Sequence, residues 1–264
     1  MKHYILIGFA LCAPALIISP AAQANDIMYL LQSRAGMEET RAPTPLPYRY
    51  TMYLNLSEHD SDGPRDVQAE VRVDPSKPAG SRTRIVSSSR GHRKVLTEFL
   101  AEIENPKTDM AALADDFWCT SIHDNEDVDL STYTVVSQTD TEAVLKPNLD
   151  ILSDMLLRKD TNDTDKFKKK MKKKLMNDRV EGQIIVSKRN GGTKGFQTRM
   201  TRSATLKTIV KFQTMTLEQS CAVAPNGYRY KSEMNYSMSG NALGETFGAD
   251  HDIRISDLTP LPSP

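Results

Sequence analysis

Tyr228-Arg229-Tyr230-Lys231-Ser232-Glu233-Met234-Asn235-Tyr236-Ser237-Met238 decides the fold of this chain. Read with a period of two, it places Tyr228, Tyr230, Ser232, Met234, Tyr236 and Met238 on one face. Arg229, Lys231, Glu233, Asn235 and Ser237 fall on the other. One face is apolar and adaptable, and the other is solvated. A strand of this kind belongs to an antiparallel sheet whose apolar face needs a cover.

The same period extends outward. Val180–Ser187 reaches a hairpin signal at Asn190-Gly191-Gly192, and Phe196–Arg202 and Leu206–Leu217 continue the sheet. Pro225-Asn226-Gly227 marks a second tight turn, and Thr246–Leu258 completes the C-terminal sheet. Upstream, Tyr48, Tyr50, Met52, Leu54 and Leu56 alternate with polar residues, as do Val67, Ala69, Val71 and Val73. Arg82–Ser88 reads as a weaker strand, and Thr132–Gln138 with Glu142–Lys146 as a hairpin. The middle changes period: Val95, Leu96, Phe99, Leu100 and Ile103 recur at helical spacing. Asp109–Trp118 and Lys166–Asn177 read as further helices.

The first 24 residues have the form of a secretory leader: Lys2, an apolar run from Tyr4 to Ile18, and Ala22-Gln23-Ala24 for cleavage after Ala24. That run is too short and broken to span a bilayer. The expectation is export as a soluble protein to the periplasm. Residues 25–47 then supply a short helix and a proline-rich linker, 48–258 one domain, and 259–264 a proline-rich tail. Without the leader, 33 basic residues face 34 acidic ones, a balance with no general pull toward nucleic acid. Two cysteines remain, Cys119 and Cys221, an even pair in an oxidising compartment. Bonded, they close a loop of about 100 residues, worth ~4 kcal/mol in the chain-entropy model.

No catalytic signature is present, and no cofactor is expected. Glu58-x-Asp60-x-Asp62-Gly63 imitates a calcium loop, but Ala69 stands where its glutamate belongs, and a turn between strands accounts for the residues. His123 to Asp129 form a second acidic cluster with no ligand spacing, so a solvated loop is the reading. No pair of histidines has zinc spacing, and no serine sits in a nucleophile elbow. The densest charge is Lys166, Lys168, Lys169, Lys170, Lys172, Lys173 and Lys174, with Phe167, Met171 and Leu175 as one helical stripe. An anionic membrane surface or a partner would attract it. A solvated helix docked by its stripe is the plainer reading, because Asp160, Asp163, Asp165 and Asp178 flank the run.

Val180-Glu181-Gly182-Gln183-Ile184-Ile185-Val186, the Asn-Gly turn after it, the strand Thr205–Leu217, and Met238-Ser239-Gly240 with Ile253-Arg254-Ile255-Ser256-Asp257-Leu258 resemble the LolA/LolB-like superfamily. That resemblance implies an α+β fold, a curved, unclosed antiparallel β-barrel or sheet with helices covering the concave face. It also implies an apolar cavity between sheet and helices, as in carriers that hold acyl chains. The longer chain, the lysine run and the cysteine pair depart from the pattern, and no functional residue is carried over. About nine to eleven strands and two or three helices are expected. Cavity candidates are Tyr50, Met52, Leu54, Phe99, Met200, Phe212, Met234, Tyr236 and Met238, each of which also fits a packed core. The expected function is binding of a lipid or a lipidated protein. The alternatives are a non-catalytic cell-envelope interaction protein with a filled core and an unrecognised hydrolase.

Overall fold

The computed structural model describes residues 46–60, 62–89, 91–108, 113–114, 117–119, 132–148, 180–188, 193–200, 204–206 and 210–261. Among these are eleven strands and one helix. The strands are β1 (Tyr48–Asp60), β2 (Gly63–Val73), β3 (Thr83–Ser88), β4 (Tyr133–Gln138), β5 (Glu142–Pro147), β6 (Val180–Ser187), β7 (Thr193–Met200), β8 (Ala204–Leu206), β9 (Val210–Val223), β10 (Arg229–Ala242) and β11 (Glu245–Pro260). The helix, α1, covers Arg93–Ile103. Residues 113, 114 and 117 are also helical. The leader, the short helix expected after residue 25, the acidic cluster after Cys119, the Asn190-Gly191-Gly192 turn and the lysine run lie outside the described residues.

All strand pairs are antiparallel, in the order β3-β2-β1-β11-β10-β9-β7-β6-β5-β4, with β8 added on β9. The edge strands β3 and β4 do not pair with each other, so the curved sheet stays open. Pairing places one row of positions through all ten strands of the path: Ser88, Ala69, Leu54, Ile253, Met234, Gln219, Phe196, Ile184, Leu145 and Val135. Almost every member is apolar, because alternation repeats in register from strand to strand. The neighbouring row is polar throughout: Gln68, Asn55, Asp252, Asn235, Glu218, Gln197 and Gln183. The sheet therefore has one apolar and one hydrated face.

The strand order explains where the cover comes from. β3 and β4 are consecutive in the sequence but occupy opposite edges. The connection between them must travel nine inter-strand steps, roughly 40 Å for a flat sheet. It is pinned at three described points. Val95, Leu96 and Leu100 of α1 are buried with β1 and β2 in the core. Phe117 and Trp118 are buried against Tyr50, Tyr48 and Tyr230, with Phe117 stacked on Tyr230 at 5.4 Å. Cys119 is disulfide-bonded to Cys221 of β9, with Cα atoms 6.2 Å apart.

The C-terminal end of α1 is tied to the β2–β3 turn. Glu104 accepts hydrogen bonds from the backbone of Gly80 (2.6 Å), Arg82 (3.2 Å) and Thr83 (2.5 Å), and from the Thr83 hydroxyl (2.5 Å). Buried Arg82 donates in turn to the carbonyls of Ile103 (3.0 Å) and Thr108 (2.9 Å). The Ile103 carbonyl is one of those a helix end leaves without an intrahelical partner.

Several expectations need correction. Lys231 belongs to the solvated face by simple alternation, yet it is buried. A bulge between Lys231 and Glu233 opposite β9 breaks the period there. β10 and β11 run on to a two-residue turn at Leu243-Gly244, both with positive φ. Thr259 and Pro260 are strand, paired with Arg49 and Tyr48, rather than the start of a tail. Leu206–Leu217 is two strands, β8 and β9, and β9 extends to Val223. Among the described residues there is one full helix; residues 113, 114 and 117 of the expected Asp109–Trp118 helix are helical, and Lys166–Asn177 lies outside the described residues.

Candidate functional site

The candidate site is the part of the apolar face on β9, β10 and β11 beyond α1. Pairing aligns Leu217, Tyr236, His251 and Leu56 in one row, and Met215, Met238 and Ala249 in the next. Beyond them Gly240 lies between Phe212 and Phe247, whose rings meet edge to face at 5.7 Å. A Cβ at Gly240 would fall 2.4 Å from the Phe247 ring, so glycine is what lets the two aromatics meet.

The nine cavity candidates divide. Tyr50, Met52 and Leu54 are buried in the core with β2 and α1, and Leu54 also borders the groove across β3, β2, β1 and β11. Phe99 and Met234 are partly buried against that core. Tyr236, Met238 and Phe212 are partly open, as are Leu217 and Phe247. Met200 ends β7, opposite Val180, and its side chain lies outside the described residues.

Among the described residues of β9 and β11, Gln219 and His251 are polar residues on the apolar face. Gln219 is buried, and its amide donates to Sγ of Cys119 (3.4 Å) and of Cys221 (3.6 Å). His251 lies between Leu56 and Tyr236, with the Phe99 ring edge-on at 6.2 Å and the Tyr236 ring at 6.1 Å. Burial holds the His251 imidazole below its ordinary pKa, against the opposing pull of the Glu58 and Asp250 carboxylates. The Tyr236 hydroxyl is engaged with Met238 Sδ at 3.1 Å. Neither His251 nor Gln219 stands out by motif. Both occupy apolar positions of the period-two pattern, Phe247, Ala249, His251, Ile253 and Met215, Leu217, Gln219, Cys221, and that placement is the signal by which they could have been found.

Two shallow grooves lie mainly along the hydrated rows. One, of about 390 Å³, is lined by Asn55, Glu218, Asn235, Asp250 and Asp252 among others, and reaches Tyr236 and His251. The other, of about 450 Å³, lies across β3, β2, β1 and β11, and shares Asn55 and Asp252 with the first. Among the described residues no group of three His, Cys, Asp or Glu side chains is placed to hold a metal ion. The calcium-like segment is the β1–β2 hairpin, where Asp60 accepts from Arg65 (2.6 Å) and from the backbone of Asp62 (2.9 Å).

No protein-family model matches the sequence, and no curated protein matches it. A solved structure that it matches is that of a LolA superfamily protein from Nitrosomonas europaea. The two share 13% identity over 91% of this chain and 94% of that one, with a TM-score of 0.24. A superposition that loose assigns no function.

Proposed function

We propose that this protein binds an acyl chain, carried by a lipid or a lipidated protein, on the apolar face of β9, β10 and β11, and that it does so as an exported periplasmic protein. One observation carries the reading. The apolar face is sealed where α1 covers β1 and β2, but Met234, Tyr236, Met238, Leu217, Phe212 and Phe247 remain partly open on the same continuous face. Soluble proteins keep large contiguous apolar surface out of water unless something docks there. Methionine suits a flexible, irregular ligand, since its side chain has three rotatable bonds and a polarisable sulfur. Burying a chain stabilises the complex by about 0.8 kcal/mol per CH₂, so no covalent chemistry is required. The leader supports export, and the Lys166–Lys174 run would favour an anionic membrane surface where cargo is taken or delivered.

The test is a face-specific charge. Met238→Lys places an ammonium on the open apolar face, while Ser237→Lys places one on the hydrated face. With an environment-sensitive fluorescent acyl probe, wild type and Ser237→Lys bind. Met238→Lys binds about tenfold more weakly or not at all. Absence of binding by wild type, or equal loss in both variants, contradicts the reading.

A further inference from the structure

Resting on that reading, we infer that the ligand is an esterified or amide-linked acyl chain, and that its head carbonyl accepts a hydrogen bond from the His251 imidazole. Among the described residues, four buried side-chain nitrogen or oxygen atoms lack a partner, on Arg65, Gln138, Arg229 and His251. Arg65 and Arg229 hold bonds through other atoms, and Gln138 has a further interaction. The His251 side chain has only ring contacts and the fields of nearby carboxylates. An unpaired buried nitrogen is costly, and a ligand that supplies its partner regains that cost on binding.

The surroundings select the partner. The rings of Phe99 on α1 and Tyr236 on β10 pack near the imidazole, and the carboxylates of Glu58 on β1 and Asp250 on β11 act on it by charge. Glu58 lies 3.9 Å from Arg65, but among the described residues the only charges that act on the imidazole are the two carboxylates, so a free fatty carboxylate would enter a negative field. The unpartnered atom is Nε2, and the neutral imidazole with its one proton on Nε2 donates there. An uncharged carbonyl meets both conditions, and the chain behind it can run along Tyr236, Met238 and Leu217. His251 and Tyr236 also border the shallow groove of about 390 Å³.

The experiment compares monopalmitoylglycerol with its ether analogue hexadecylglycerol, which lacks the carbonyl. Each competes with the fluorescent acyl probe on the full chain. Wild type should prefer the ester about fivefold, the size of one net hydrogen bond. His251→Leu should bind both alike, and His251→Gln, which keeps a donor, should restore part of the preference. Nitrogen NMR of the wild-type imidazole should move with the ester and not with the ether, a readout that needs no variant to fold. Equal affinity of wild type for both ligands overturns the inference while leaving acyl binding intact. So does a preference that survives His251→Leu. Binding of neither ligand overturns acyl binding and this inference together.

Discussion

Phe99 of α1 meets His251 of β11 edge to ring, with centroids 6.2 Å apart and planes at 90°. The contact joins the cover to the sheet through a group that titrates. Burial lowers the folded pKa of His251 below the ordinary value of about 6.5. The unfolded chain therefore binds this proton more readily than the folded one. The stability contributed by neutral His251 is fully present above about pH 6.5 and is lost as pH falls through the depressed folded value. Thermal melting from about pH 7 to about pH 5 should show a fall in wild type that is reduced in His251→Phe. An identical fall in the variant contradicts the assignment.

Glu104 gives the same kind of prediction at lower pH. Burial pushes its carboxyl up, but the combined hydrogen bonds from Thr83, Arg82 and Gly80 outweigh burial and hold it below the ordinary range. Its stabilising contribution is present above the unfolded carboxyl value, about 4.3, and is lost as pH falls through the lowered folded value. Glu104→Gln keeps the shape and removes the charge. It should cost about 1 kcal/mol near neutral pH, a modest figure because the site is largely solvated. Denaturant unfolding measures it, and no change would mean that the α1–β3 tie is not formed in solution.

The disulfide fixes the crossing connection to the middle of the sheet, between residues 102 apart in sequence. Replacing Cys119 and Cys221 together by alanine should lower unfolding free energy by about 2–5 kcal/mol. Equilibrium denaturation of the oxidised wild type against the double variant checks this. Equal stability contradicts the pinning role.

Leu243 sits 79% exposed in the left-handed region, at φ 55°, in the β10–β11 turn. Gly244 beside it has φ 92°, the conformation for which glycine is suited. A leucine side chain is strained there and packs on nothing that would compensate. Leu243→Asn should raise stability by about 1 kcal/mol. A lower melting temperature would contradict the turn geometry.

Much of the sheet was legible because alternation is local. Tyr48–Leu56, Val67–Val73 and Met234–Met238 show their apolar faces without knowledge of their partners. What was not legible depends on distant pairing. Lys231 is buried because β9 opposes a bulge, and nothing in the residues around it announces one. The Leu243-Gly244 turn lacks the usual Asn or Asp, so only the glycine marks it. Pro260 reads as tail until Tyr48 pairs with it from the other end of the domain. For the site, the Met and Tyr residues of β10 were readable as one face. Which of the candidates would be sealed depended on where α1 lands, and that follows from strand order. Strand order placed β3 and β4 at opposite edges, a relation no local pattern carries.

The central claim is that the open half of the apolar face holds an acyl chain. Native mass spectrometry, with organic extraction, on protein purified gently without detergent tests it most directly. Wild type should carry a stoichiometric acyl-bearing adduct that is absent from Met238→Lys and retained by Ser237→Lys. A clean unliganded mass for wild type, unchanged after incubation with lipids, would contradict it.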